Sequence, residues 1–216
     1  MTRRMTLAAL ALTLTPLIGA AQERGALLVA SERVPDPRFS KTVLLLLHYD
    51  TDGAIGIAIN RPTWVSAAQL FPGLPYMQRY RGRIFHGGPL AQANVLVLSR
   101  GAESSEPQAE PLLEDIYAST NLEFLEQRVD ATTDEVMRFY AGHASWGPGQ
   151  LDEEIEAGSW RVVSASAERI FSEQPLALWG QLAVSGAEMR ARTSSAADTS
   201  SRTAAEIETS IAPRPQ

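Results

Sequence analysis

The feature that most constrains the fold is an uninterrupted apolar run, Val43–Leu47, within the segment Thr42–Tyr49. A strand with one face in water alternates apolar and polar residues, whereas continuous apolarity predicts a strand covered on both faces. Turn-forming residues at 50–53 follow it, and Ala54–Asn60 continues with residues typical of strands. Residues 42–60 are therefore predicted to form a buried β-hairpin.

Small residues recur along the second strand of this hairpin, at Ala54, Gly56 and Ala58. They predict that another backbone or a side chain packs closely over one face. Pro62 is predicted to stop the strand, because proline has no backbone N–H to donate to a sheet.

The remaining strands and helices are predicted to be short. Strands are predicted at 26–30, 83–86, 94–99, 116–119, 135–140 and 160–164, and helices at 66–70, 120–128, 150–157, 167–171 and 175–185. Gly158 is predicted to cap the third of these helices. In the last helix, Leu176, Trp179 and Leu182 are predicted to point inward.

The two ends of the chain differ from its middle. Arg3 and Arg4 precede the apolar stretch Met5–Ile18, which predicts a signal peptide, residues 1–21, cleaved near Ala20 or Ala21. The 14 residues of that stretch are fewer than the roughly 20 of a bilayer-spanning helix. We therefore expect a periplasmic or secreted protein with no membrane span in the mature chain. An uncleaved tail, or a start codon upstream of a cytoplasmic protein, is the alternative.

Residues 22–186 are predicted to form one globular domain, and residues 187–216 a disordered tail. The tail is rich in alanine, serine and threonine and has no aromatic residue. Such a segment buries too little apolar surface to offset the entropy lost on ordering.

Charge and composition exclude several classes of function. Removing the leader takes 2 of the 19 basic residues and leaves 17 against 25 acidic residues, a net charge of −8. A nucleic-acid partner is therefore not expected, because binders of nucleic acid concentrate positive charge. The cluster Arg79, Arg81 and Arg83 could contact an anion, or pair with local carboxylates on a solvated loop. The chain has no cysteine, which excludes disulfides and thiol chemistry.

Several blocks of the sequence, in order along the chain, resemble the YqgE/AlgH family. They are Gly25–Ala30, Pro35–Phe39, Val43–Pro62, Phe85–Pro89 and Gly142–Glu154. In the last block the family's usual Gly-Tyr-Ala-Gly-Trp reads Gly-His-Ala-Ser-Trp, and the glutamate after Gln-Leu is an aspartate. The resemblance implies an α+β fold in which a curved mixed β-sheet forms a pseudo-barrel flanked by a few short helices. Family members are generally cytosolic and are often labelled transcriptional regulators, so that function is one alternative.

Reactive side chains show no spacing typical of a catalytic or metal site. His48, His86 and His143 form no His-x-x-x-His pair, so no metal is predicted. Asp50 and Asp52 are interpreted as turn residues. Because position 143 is histidine, the Gly-x-Ser-x-Gly pattern of a hydrolase is not formed around Ser145, and a weak hydrolase is a further alternative.

One concave surface is predicted where loops of the resembling blocks meet. Its candidate ligand-binding residues are Asn60, Arg61, Gly87, Gly88, Trp146 and Gln150. Polar groups around a tryptophan suit a protein or peptide partner or a small ligand, and no cofactor is predicted. The structural alternative makes Trp146 a core residue and Arg61 the partner of a helix acid, while the glycines serve close backbone packing. The leading functional prediction is a non-catalytic binding or regulatory module.

Overall fold

The computed structural model describes residues 25–101, 110–113, 115–121 and 136–184. The strands are β1 Ala26–Ala30, β2 Val43–Asp50, β3 Gly53–Ala58, β4 Ile84–His86, β5 Leu90–Arg100, β6 Glu110–Leu113, β7 Ile116–Ser119, β8 Val136–Trp146 and β9 Trp160–Ser164. The helices are α1 Ala67–Leu70, α2 Gln150–Glu156, α3 Ala167–Ile170 and α4, residues 175–184.

The strands form one curled sheet in the order β6-β7-β5-β8-β3-β2-β1-β9, and β4 pairs with β8 beside this path. The pairs along the path are antiparallel, whereas β4 and β8 are parallel, so the sheet is mixed. It curls into a half-barrel with short helices against it. The predicted α+β fold is confirmed.

The predicted hairpin is present as β2 and β3. Leu44 pairs with Ala58 and Leu45 with Ile57, and Val43–Leu46 are completely buried, as continuous apolarity predicts. Close packing over the small residues is also confirmed. A Cβ atom on Gly56 would lie 3.5 Å from the ring of Trp146.

Two faces of the sheet carry separate cores. Leu45 and Ile57 belong to the core that α3 and α4 close through Ile170 and Leu182. The alternate residues of the same strands, such as Leu44, pack on the other face with Trp146, Trp160 and Leu151 of α2. The half-barrel is thus apolar on both sides of its central strands.

Residues next to the short helices in the sequence cap them. Ser66 and Gln69 form a capping box at the start of α1, and Gly158 ends α2 with a φ of +76°. The predicted inward orientation of Leu176 in α4 is wrong: it is 74% exposed, whereas Leu178 is 3% exposed. Leu178 and Leu182, four residues apart on one face of α4, are buried, and Leu176 lies off that face and lines a groove.

Two strands are longer than predicted. The strand expected at 94–99 begins at Leu90, and the one expected at 135–140 continues to Trp146. The predicted helix at 120–128 lies, after residue 121, outside the described residues, as do the predicted signal peptide and tail. In the described ranges no helix has both the length and the apolar character to cross a bilayer.

Candidate ligand-binding cleft

Two concave surfaces lie at opposite ends of the parallel strand pair β4 and β8. Arg83 and Arg138, at the start of the pair, line one of them. Leu90 and Trp146, beyond the end of the pair, line the other. The same two segments of chain therefore connect both surfaces.

Between the two surfaces, the chain that leaves β4 crosses β8 at backbone contact distance. A Cβ atom on Gly88 would lie 2.1 Å from the carbonyl carbon of His143, and one on Gly87 would lie 2.3 Å from the carbonyl oxygen of Gly142. The N–H of Gly87 donates to the carbonyl oxygen of Ala141 at 2.7 Å. The side chain of any other residue would collide with this backbone, so Gly87 and Gly88 serve close packing.

Gly142 shifts the alternation of side chains along β8. Residues at even spacing on a regular strand share one face. Tyr140 nevertheless packs in the core under α3 and α4, whereas Ala144 and Trp146 pack on the opposite face. Gly142 lies between them with a φ of +76°. This left-handed residue turns Trp146 toward α2.

A cleft of about 490 Å³, here called the tryptophan cleft, opens beside Trp146. Three segments line it: residues 34–39 of the loop after β1, Pro89 and Leu90, and the end of β8 with Gln150 and Glu154 of α2. These segments overlap three of the sequence blocks that resemble the YqgE/AlgH family. Leu90 is 44% exposed, which leaves apolar surface at the mouth of the cleft.

The carboxylate of Glu154 holds the wall of the cleft together. Its Oε2 accepts hydrogen bonds from the indole N–H groups of Trp160 at 2.7 Å and Trp146 at 3.1 Å, and its Oε1 accepts from the Gln150 amide at 3.0 Å. The two indoles meet edge to face, with centroids 6.0 Å apart. Sequence reasoning missed Glu154, although its four-residue spacing from Gln150 places both on one helical face.

An ion pair lies at the rim of the cleft. Arg38 Nε donates to both carboxylate oxygens of Asp36, at 3.1 and 2.9 Å, and Nη2 donates at 2.6 Å. These side-chain bonds, with one from the Arg38 backbone, hold the pKa of the Asp36 carboxyl below its usual value. The rim therefore presents a compensated pair of charges rather than a free cation or anion.

The structure brings only part of the predicted site together. Trp146 and Gln150 line the tryptophan cleft, while Gly87 and Gly88 form the backbone crossing behind it. The Asn60 amide is buried, where it accepts from the N–H of Val43 at 2.9 Å and donates to the carbonyl of Lys41 at 2.9 Å. Its side chain thus fixes the start of the hairpin.

Arg61 is held by the same end of the hairpin. Its guanidinium donates to the carbonyl of Ser40 at 3.0 Å and to the Thr42 hydroxyl at 2.6 Å. Partial burial lowers the pKa of Arg61. The alternative that paired Arg61 with a helix acid is wrong, whereas its other half, Trp146 as a core residue, is confirmed because that side chain is 7% exposed.

The reactive side chains do not converge on a shared centre within the described residues. Ser145 lines the cleft but makes no hydrogen bond to a histidine in this part of the chain. His48 contacts Asp50 at 2.7 Å, and His86 contacts the amide of Gln92 at 3.3 Å. Asp50 accepts from the N–H of Asp52 in the turn. No group of three His, Asp or Glu side chains with the arrangement of a metal site occurs in the described ranges.

Comparison with known proteins agrees with these structural features. Residues 27–188 match the model of the AlgH-like family. A UPF0301 protein of Streptomyces avermitilis is 32% identical over 161 residues, which are 73% of this chain and 83% of the relative. A UPF0301 protein of Chlamydia muridarum is 30% identical over 171 residues, 78% of this chain and 89% of the relative.

Solved structures show the same fold. The solution structure of the AlgH protein from Pseudomonas aeruginosa matches with a TM-score of 0.63 at 25% identity, over 77% of this chain and 88% of that one. A crystal structure from Corynebacterium diphtheriae matches with a TM-score of 0.62 at 25% identity, over 73% and 84% of the two chains. The chain therefore belongs to the YqgE/AlgH family.

Proposed function

We propose that the protein is a non-catalytic binding module that holds a peptide segment of a partner protein in the tryptophan cleft. The observation that carries this proposal is the convergence of three distant segments on one cleft with an aromatic wall and an exposed Leu90. Clefts of several hundred Å³ that combine apolar side chains with placed polar groups are typical ligand sites.

The state of the polar groups supports binding rather than chemistry. A general base needs a free lone pair directed at the substrate. The Glu154 carboxylate instead accepts three N–H groups from its own neighbours, and Asp36 is paired with Arg38. Recognition in the cleft would then depend on shape, apolar contact and the backbone hydrogen bonds of an extended peptide.

A weak hydrolase is the second candidate, because Ser145 is exposed within the cleft. It requires activity on an ester or phosphoester panel that the substitution Ser145→Ala abolishes. Activity that survives the substitution removes this candidate. Regulation of transcription rests on the resemblance to the YqgE/AlgH family alone and predicts salt-sensitive DNA binding in a gel-shift assay.

We also propose that this module works outside the cytoplasm, in the periplasm or after secretion. Arg3, Arg4 and the apolar stretch Met5–Ile18 support export. The intact mass of the protein from fractionated cells tests this proposal. A mature chain that begins after Ala20 or Ala21 is the expected result, and a cytoplasmic chain that still includes residues 1–21 would contradict it.

The binding proposal is tested with a random peptide library displayed on phage. Ser145→Arg places a long side chain in the cleft at an exposed position, and Ser164→Arg places the same side chain on the exposed end of β9, outside the cleft. We expect peptides enriched on the wild-type protein to bind Ser164→Arg unchanged and to lose about tenfold or more in affinity for Ser145→Arg. Equal affinity for both variants, or no enriched peptide, would overturn the proposal.

A further inference from the structure

A second concave surface of about 540 Å³, here called the arginine groove, lies at the other end of β4 and β8. Arg83, Phe85 and Arg138 contribute to one side of it, and the first turn of α4, which includes Leu176, contributes to the other. It shares no lining residue with the tryptophan cleft.

Large apolar side chains are exposed at this groove. Leu176 is 74% exposed. Trp64 is 90% exposed, and the guanidinium of Arg83 lies 4.9 Å from its ring centroid. An isolated exposed leucine needs no explanation, but Leu176 in the groove lining, together with a tryptophan stacked on the groove's Arg83, is typical of an interaction surface.

The groove also carries positive charge that carboxylates of the described residues neutralise only in part. Arg138 lies between the rings of Phe85 and Phe171, at 4.9 and 5.7 Å, and donates to the carbonyls of Ile170 and Ser172. Within the described residues, neither Arg83 nor Arg138 forms an ion pair with a carboxylate. The exposed Glu173 offsets part of this charge. A partly buried guanidinium without an acid partner favours an acidic ligand.

The chain's own carboxyl-terminal region contains a segment of complementary chemistry. Residues 204–211 read Ala-Ala-Glu-Ile-Glu-Thr-Ser-Ile, with carboxylates at Glu206 and Glu208 and apolar side chains at Ile207 and Ile211. The segment has a net charge of −2 and places an isoleucine next to each carboxylate. The segment therefore has negative charge to pair with the arginines of the groove and apolar side chains to cover its exposed apolar surface.

The length of the chain permits the contact. Helix α4 begins at the groove and extends away from it by about 15 Å over its ten residues, at 1.5 Å per residue. Residues 185–205 separate the end of α4 from Glu206. The 21 residues from 185 to 205 could reach up to about 70 Å if fully extended, which is far more than the distance back to the groove.

We propose that the arginine groove is the docking site of the chain's own segment Ala204–Ile211. The carboxylates of Glu206 and Glu208 neutralise Arg83 and Arg138, and the isoleucines cover the apolar surface around Leu176. Docking holds the tail against the end of the half-barrel opposite the tryptophan cleft.

The absence of cysteine from the chain makes the proposal directly testable. The double variant Gln174→Cys, Ser210→Cys joins the groove to the segment, and Val184→Cys, Ser210→Cys joins the far end of α4 to it. Gln174 lines the groove and Ser210 lies in the segment, but neither is one of the charged or apolar side chains assigned to the contact, and Val184 lies outside the groove. The first pair closes a loop of 210 − 174 = 36 residues and the second a loop of 210 − 184 = 26 residues.

The two pairs give opposite results for a docked and an undocked tail. An undocked tail forms the disulfide with position 184 faster, because the 26 residues from 184 to 210 reach that position directly, whereas helix α4 holds position 174 about 15 Å farther away. Docking reverses the order, and we expect the pair at 174 and 210 to close about tenfold faster. Equal rates, a faster pair at 184 and 210, or mainly disulfide-linked dimers would overturn the proposal.

Charge provides a second measurement on the same full-length proteins. Arg83→Glu in the first pair should lower the rate of disulfide formation about tenfold, since it replaces attraction with repulsion, and should leave the second pair unchanged. Arg33→Glu, at an exposed position on the loop after β1, is the matched control. An unchanged rate with Arg83→Glu would also overturn the proposal.

Discussion

The tryptophan cleft and the arginine groove are built on the same two strands, yet their polar groups are satisfied in different ways. In the cleft, Glu154 accepts three hydrogen bonds from its own neighbours and Asp36 is paired with Arg38. Near the groove, Arg83 has no carboxylate partner among the described residues, and the buried Tyr140 hydroxyl has no partner there. A surface whose polar groups are already hydrogen-bonded within the protein selects ligands by shape. A surface with unpaired charge attracts ligands of opposite charge, and their binding is sensitive to salt.

The largest expected effect comes from the glycine crossing that both surfaces share. Gly88→Ala should destabilise the fold by about 3 kcal/mol, because its Cβ would lie 2.1 Å from the backbone of His143 and β8 would have to move. Gly147→Ala is the control, since a Cβ there meets nothing within 4 Å, and its effect should stay within about 0.5 kcal/mol. Urea unfolding measures both. Similar free energies of unfolding for the two variants would mean that the crossing does not hold the surfaces together.

Removal of Glu154 tests whether the cleft depends on internal pairing. Glu154→Ala leaves the indole N–H groups of Trp146 and Trp160 without their acceptor, at exposures of 7% and 3%, and should cost about 2 to 3 kcal/mol. Glu153→Ala, on the exposed face of the same helix, should change stability by less than about 0.5 kcal/mol. Urea unfolding followed by tryptophan fluorescence gives both values, and equal losses would contradict the role assigned to Glu154.

Two tyrosines near the groove test how much stability a buried hydroxyl costs when it has no hydrogen bond. The hydroxyl of Tyr140 is buried near the Arg138 guanidinium but makes no hydrogen bond of good geometry to it or to another described residue, so Tyr140→Phe should stabilise the protein by about 1 kcal/mol. The hydroxyl of Tyr80 donates to the carbonyl of Met137 at 2.8 Å, so Tyr80→Phe should destabilise it by about 1 kcal/mol. Thermal unfolding at neutral pH distinguishes the two signs. Destabilisation by both substitutions would show that the Tyr140 hydroxyl has a partner after all.

Tyr140 should also make the stability of the protein depend on pH. Burial raises the pKa of Tyr140, so the folded state keeps its proton where an unfolded tyrosine loses it. The stability from this group is complete below about pH 10 and is lost as pH rises toward the folded-state pKa. The Tyr140→Phe protein should therefore lose less stability than the wild-type protein when the pH rises from about 9 to about 11, a range that brackets the ordinary tyrosine pKa. Parallel losses would contradict the raised pKa.

The sequence predicts the parts of this fold that depend on local pattern. Continuous apolarity in Val43–Leu47 identifies a strand buried on both faces, and the small Gly56 anticipates the ring packed over it. The helix predicted at 66–70 is present as α1, and the capping box of Ser66 and Gln69 that starts it needs only residues three apart. These predictions succeed because the interacting groups are near one another in the chain, or because the residue type itself indicates burial or close packing.

The candidate site depends on the register of the strands and on how helix α4 packs against the sheet. The local sequence pattern determines neither. Asn60 and Arg61 sit beside the hairpin, and the pairing of β2 with β3 directs both side chains to residues 40–43 instead of the cleft. In α4, a helical period allows a stripe through Leu176 or one through Leu178, and both include Leu182. Only the position of the helix on the sheet decides between them.

The smallest expected effect concerns the ion pair at the rim of the cleft. Hydrogen bonds from Arg38 lower the pKa of Asp36, so the stabilisation from this carboxylate is complete above its ordinary pKa of about 4 and is lost as pH falls through the lowered value. Arg38→Gln should return the Asp36 pKa toward its ordinary value, and Arg33→Gln, on the same exposed loop, should leave it unchanged. NMR titration of the Asp36 carboxyl carbon measures the pKa in each protein. If the ion pair also keeps the rim neutral, Arg38→Gln should make peptide binding in the tryptophan cleft more sensitive to salt, as expected of binding at the arginine groove. An unchanged salt dependence would show that charge pairing is not what distinguishes the two surfaces.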